Sequence, residues 1–301
     1  VDVRISRRTL LAAGLGTAAA AGLGLAGCGG GGDGGRTASP TDGATTGVAP
    51  DELQVLIASA QLVPGTAERF ALGVLADDEP LSDTEITLRL GRDFKHLGPP
   101  VTAVRHSAGI EERPYWLARV DLDAPGDWVV EAAAGGKSGG AAFTVIDPAT
   151  TEVPLPGEKM IPVATPTFSD ARGVDPICTR RPPCPFHQVS LDEALRAGKP
   201  VAALFATPAL CQSRVCGPVL DVLIGQAPTV GERVSFVHIE VYRSLTADLG
   251  DPASLTDGMR AYHLTFEPIL FLAAADGTVR ERLDGPYDAT ECREALGRLV
   301  T

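Results

Sequence analysis

Apolar and polar residues alternate along the first half of the chain. Ile86-Thr87-Leu88-Arg89-Leu90 and Trp116-Leu117-Ala118-Arg119-Val120-Asp121-Leu122 place a hydrophobic side chain at every second position. That is the period of a half-buried strand. Strands are expected at 54–59, 67–75, 85–90, 101–106, 115–121, 128–133 and 142–146. Turn signals separate them: Pro64-Gly65, Asp77-Asp78, Gly98-Pro99-Pro100, Ala124-Pro125-Gly126 and Gly135-Gly136. About seven short strands at this spacing predict an all-β sandwich over 51–147.

The pattern changes after residue 147. Pro148, Pro154, Pro156, Pro162 and Pro166 predict a stiff, extended linker over 148–166. Ser190-Leu191-Asp192-Glu193 is a capping box for a short helix that Gly198 ends. Continuous apolar runs at 201–205 and 269–273, and the longer run 234–242, read as strands. Residues 269–273 and 279–283 join through Asp276-Gly277, a favoured hairpin turn. Gly217-Pro218 opens a helix, since proline suits a first helical turn. A further helix is expected near 255–262. A last one spans 288–299, with Cys292, Ala295, Leu296, Leu299 and Val300 on one face. The order is helix, strand, helix, strand, helix, two strands, helix.

Composition narrows the functional classes. The chain has 301 residues, 44% of them hydrophobic, so a proper core can form. A net charge of −12 argues against nucleic acid as a partner. His96 and His106 are the only histidines of the first half and are read as solvated. Trp116 and Trp128 are read as core anchors.

The N-terminus carries an export pattern. An apolar, Ala/Gly-rich run, 10–26, ends in Leu25-Ala26-Gly27-Cys28, which resembles the lipobox of bacterial lipoproteins. Ser6-Arg7-Arg8-Thr9-Leu10-Leu11 resembles a twin-arginine export signal. The resemblance implies a signal peptide over 1–28, a lipidated Cys28, and anchoring at the extracytoplasmic face of the cell membrane. Residues 29–50 are Gly, Ser, Thr, Ala and Pro with little apolar bulk and read as a flexible tether.

Cysteine carries the candidate chemistry. Of six cysteines, five lie beyond residue 177. Cys211 and Cys216 sit in the loop after strand 201–205, with Cys216-Gly217-Pro218 at the start of the following helix. A helix N-terminus favours thiolate over thiol. The segment resembles the active-site region of the thioredoxin superfamily, whose motif is Cys-Gly-Pro-Cys. Val219 stands here where the second cysteine of that motif would be, so the pair is Cys-x-x-x-x-Cys. Pro268 occupies the place of that family's active-site proline. The resemblance implies an α/β thioredoxin-like fold over 167–301, following an Ig-like sandwich. The Ig-like resemblance rests on Tyr115-Trp116-Leu117-Ala118-Arg119-Val120 and Pro125-Gly126-Asp127-Trp128. The implied activity is thiol–disulfide exchange on exported proteins. Cys216 would be the attacking thiolate and Cys211 the resolving thiol, with Arg214 lowering a thiol pKa and Pro268 beside them.

Other readings stay open. Cys211–Cys216 also reads as a permanent disulfide in a redox-inert binding module. The same loop resembles that of Sco-type copper-delivery proteins, with His263 and His238 as the only donors in reach. Cys178 and Cys184, in a proline-stiffened loop, read as a structural disulfide, or as a second redox pair, or with His187 as a metal site. Cys292 reads as a buried small hydrophobe. No cofactor or metal is assigned.

Overall fold

Twelve strands and four short α-helices make up residues 52–301, the part of the chain that the computed structural model describes. The expected signal peptide, the expected lipidation site Cys28 and the expected tether lie outside the described residues. Alternation sets the first sheet. Strands β1 (Gln54–Ile57), β2 (Gly65–Ala76), β3 (Glu79–Pro80), β4 (Glu85–Gly91), β5 (Val101–His106), β6 (Tyr115–Leu122), β7 (Gly126–Ala134) and β8 (Lys137–Val145) all pair antiparallel. Their order is β1-β2-β6-β5-β4-β7-β8, with β3 on β2.

This corrects the expected two-sheet Ig-like sandwich. Strand β4 bonds both β5 and β7, so the strands that would divide between two sheets stay in one. The ends of that sheet approach each other through parallel bridges Glu52↔Ser138 and Leu62↔Val145, giving a nearly closed, barrel-like form. Gly139 permits the approach, because a Cβ there would collide with the Leu53 carbonyl. The alternating residues Ile86, Leu88, Trp116, Ala118, Val120, Trp128 and Val130 fill one core.

The second sheet holds β9 (Val201–Phe205), β10 (Ser235–Ile239), β11 (Ile269–Ala273) and β12 (Val279–Asp284), in the order β10-β9-β11-β12. β9 and β10 are parallel and the other pairs antiparallel. Every residue of β9 and β11 is buried, which explains their unbroken apolar sequences. Ala202 and Leu204 face a core shared with α2 (Cys216–Gln226) and α4 (Ala289–Leu299). Val201, Ala203 and Phe205 face a core with α1 (Leu191–Arg196) and α3 (Asp257–Ala261).

The α/β thioredoxin-like expectation for 167–301 is corrected as well. The chain is mostly β, and no clear fold of that kind results. α1 and α3 have only 6 and 5 residues, under two turns each, too short to form a helical layer. Residues 151–190 contain no helix or strand, only the isolated bridges Lys159↔Thr278 and Asp175↔Ser244. Proline explains part of this: it removes donors and fixes φ. The proline-rich stretch is also not free of the body, since Val153 and Met160 are buried in the core beside α1.

The described residues belong to one compact unit. A buried polar network joins the first sheet to the last helix. Arg69 of β2 reaches both Glu291 carboxylate oxygens, at 2.7 and 2.9 Å, and the carbonyls of Asp284 and Pro286. Tyr115 donates to the same Glu291. Asp288 caps α4 through Glu291 N–H at 2.9 Å and accepts from the Ser107 and Ala108 N–H groups. A buried guanidinium with this many partners is held rigidly, and removing one partner strands a charge.

Candidate functional site

Two cysteine clusters lie around the end of the second sheet. The first grows from the C-terminal end of β9. Thr207 is fully buried, and its Oγ1 accepts the Val241 N–H at 2.7 Å. The Thr207 carbonyl accepts from Leu210 and Cys211, turning the chain back on itself. Arg214, with φ of 58°, donates to the Cys211 carbonyl and completes the loop. Cys216 is the first residue of α2, and no side chain caps that helix end. Cys211 and Cys216 are joined by a disulfide, with Cα atoms 6.0 Å apart. That spacing is ordinary for such a bond. Cys211 is 8% exposed and Cys216 fully buried. Cys211 is thus the more accessible of the two sulfurs.

The third member of this cluster is Glu267, which precedes Pro268 at the start of β11. A Glu267 carboxylate oxygen and the two sulfurs lie within 4.8 Å of one another. Burial pushes its pKa up to about 7, even though the Thr207 N–H donates to it and favours the charged form. A carboxyl poised near neutrality beside a disulfide can give a proton to a departing thiolate and take it back. No histidine joins Cys211 and Cys216 in the metal-capable groups among the described residues. His263 pairs with Glu152 at 3.2 Å instead, and its side chain is half exposed. The copper reading of this loop therefore lacks its histidine.

The second cluster is Cys178, Cys184, His187 and His238. Three members come from the irregular segment 151–190. The fourth comes from β10, where the His238 N–H donates to the Phe186 carbonyl at 2.9 Å and ties the segment to the strand. All four are buried, with exposures of 1, 0, 1 and 0%. Their ligand atoms lie within 4.8 Å of one another. Cys178 and Cys184, read from the sequence as a disulfide, are free thiols in the structure. The Cys184 hydrogen bond to the Cys178 sulfur holds the Cys178 pKa well below the usual thiol range and Cys184 well above it. His238 Nε2 lies 2.9 Å from the Ala206 carbonyl, so this nitrogen carries a proton, and Nδ1 turns into the cluster. That Nδ1 faces His187 Nε2 at 3.1 Å, the Cys184 sulfur at 3.4 Å and the Cys178 sulfur at 3.8 Å.

The clusters touch through two backbone links. Ala206, which binds His238, immediately precedes the Cys211 loop. Thr179, next to Cys178, accepts the Ala209 N–H at 3.2 Å and donates its own N–H to buried Glu240 at 2.6 Å. Cys292 is remote in character: buried on α4, free, with burial pushing its pKa up to about 12.

Sequence reasoning named Cys211, Cys216 and Pro268, the first two of which the structure joins by a disulfide. It passed over Glu267, whose only signal was an acidic residue directly before a strand-leading proline. It placed His187 beside a metal reading of Cys178 and Cys184 but considered His238 only as a copper donor to the other loop.

No family model matches the chain, and no curated protein does. Solved structures share only local likeness. A crystal structure of BslA, a bacterial hydrophobin, is 15% identical, with 32% of this chain and 98% of that one covered at a TM-score of 0.20. Titin M4 is 11% identical, with 33% and 97% covered at 0.20. The twitchin kinase region from C. elegans is 13% identical, with 32% and 16% covered at 0.20.

Proposed function

We propose that this protein exchanges thiols and disulfides through the Cys211–Cys216 pair. The observation that carries the reading is a disulfide ending at an uncapped helix N-terminus with a carboxyl titrating near neutrality within 4.8 Å of both sulfurs. In the reductive direction for the protein, a substrate thiolate attacks the Cys211 sulfur. The Cys211–Cys216 bond breaks and its electron pair leaves on Cys216. The positive end of α2 stabilises that thiolate, and the Glu267 carboxyl protonates it. A second substrate thiolate then attacks the substrate sulfur of the mixed disulfide and releases Cys211 as thiolate. One substrate disulfide is formed and one protein dithiol is left, so two electrons have moved.

The export pattern at Cys28 supports placing this chemistry at the extracytoplasmic membrane face, on the thiols or disulfides of exported proteins. The test is dithiol-driven reduction of insulin by the full chain. Turnover that disappears in Cys211→Ala and Cys216→Ser agrees with the reading; no turnover by the wild type rejects it.

The complete burial of Cys216 favours one second reading, a permanent disulfide in a redox-inert binding module. Resistance of the Cys211–Cys216 bond to excess dithiol in the folded protein would select it.

A further inference from the structure

We propose that Cys178, Cys184, His187 and His238 form a closed, tetrahedral Zn2+ site. The argument does not depend on thiol exchange at the other cluster. It begins with distances. Zn–S bonds of about 2.3 Å and Zn–N bonds of about 2.05 Å span a tetrahedron with edges of roughly 3.3 to 3.8 Å. The observed separations are 3.1 Å between the imidazole nitrogens and 3.4 and 3.8 Å from nitrogen to each sulfur. These three edges lie within about 0.3 Å of the tetrahedral values, and all four donor atoms lie within 4.8 Å of one another.

The second argument is tautomeric. The bond from His238 Nε2 to the Ala206 carbonyl turns Nδ1 into the cluster. Metal-bound histidines are oriented in this way, by a hydrogen bond on the other nitrogen. Without an ion, the two facing nitrogens, 3.1 Å apart, need a proton between them, since two bare lone pairs at that distance repel. A disulfide between Cys178 and Cys184 would take both sulfurs away from the imidazoles. An ion held by both sulfurs and both nitrogens uses every inward lone pair.

The third argument is closure. Four protein donors, all buried, leave no position for water or substrate, so the site is structural rather than catalytic. Two sulfurs and two imidazoles in a tetrahedral set suit Zn2+. The spacing, Cys-x5-Cys-x2-His with His238 fifty-one residues further, clamps an otherwise irregular segment onto β10. It also fixes Thr179 and Ala206, the two residues that hold the ends of the Cys211 loop.

The test uses the full chain, purified under reducing conditions and titrated with Zn2+ alone. One equivalent should bind, and X-ray absorption of the loaded wild type should show two sulfur and two nitrogen neighbours. Cys184→Ser and His187→Gln should each weaken Zn2+ by more than the roughly 100-fold that loss of an outer-shell partner costs. The absorption measurement needs no variant, so a misfolded mutant does not blunt the test. Failure to bind one equivalent, a shell without two sulfurs, or a Cys178–Cys184 disulfide in protein recovered from its own host would overturn the proposal. So would binding that is lost in Cys216→Ser and kept in Cys184→Ser.

Discussion

The two cysteine pairs have nearly the same spacing and opposite surroundings. Cys211 and Cys216 are 5 residues apart and Cys178 and Cys184 are 6 apart. The first pair meets a carboxyl and a helix N-terminus; the second meets two imidazoles. A carboxyl with a pKa near 7 serves proton transfer to and from sulfur, whereas inward-facing imidazole nitrogens serve a cation. The third and fourth groups come from distant strands in each case: Glu267 from the start of β11, His238 from β10. Spacing alone therefore does not assign a cysteine pair; its partners across the sheet do.

The sharpest break of this comparison is deletion of a sulfur from the first pair. Cys216→Ser should reduce insulin-reductase turnover to the uncatalysed level. Cys292→Ala, at a sulfur that belongs to neither cluster, should retain it. Loss of turnover in a folded Cys292→Ala protein would mean that the working sulfur has been misplaced.

Next in size is removal of the inferred ion. With free Zn2+ at about a thousand times its dissociation constant, an ion bound only by the folded state adds about 4 kcal/mol. A strong chelator added to the reduced protein should lower the unfolding midpoint accordingly, as followed by calorimetry. An unchanged midpoint would remove the structural role from the second cluster.

Glu267→Gln should slow exchange by ~100-fold, the low end of what general acid–base catalysis supplies. The wild-type rate of opening the disulfide should fall as pH rises through about 7, because the neutral carboxyl is the proton donor. The variant should lose that inflection. Stability carries the same signature. Folding raises the Glu267 pKa from 4.5 to about 7, so the folded state binds the extra proton between those values. This contribution is fully present below pH 4.5 and is lost as pH rises through about 7. Denaturant titrations of Glu267→Gln should lack this slope.

The smallest effect belongs to the link between the clusters. Thr179→Val removes the hydroxyl that accepts from Ala209 and donates to Glu240. It should cost about 1 kcal/mol. Increased amide exchange should be confined to 206–215. Spread of the change to β12 would show that the clusters are not joined through Thr179.

Much of the local structure was legible. Alternation located seven of the eight strands of the first sheet and missed only the two-residue β3. The capping box at Ser190 and Glu193 is present in the structure. Sheet membership was not legible, because alternation says which face a residue lies on and not which edge its strand pairs with. A sandwich and a single curling sheet have the same period. The short helices were legible in order but not in weight, since a capping signal marks where a helix begins and not how little of it follows. The Cys211–Cys216 pair was close in sequence and therefore readable. His238 was not, because it is brought to Cys178 and Cys184 only by the pairing of Phe186 with β10.

The reduction potential of the Cys211–Cys216 bond tests the central claim most directly. It is measured by equilibrating the full chain with glutathione buffers and trapping the thiols. A working exchange pair should titrate between about −270 and −120 mV. A value below about −300 mV would make the bond a permanent structural link and would contradict the account.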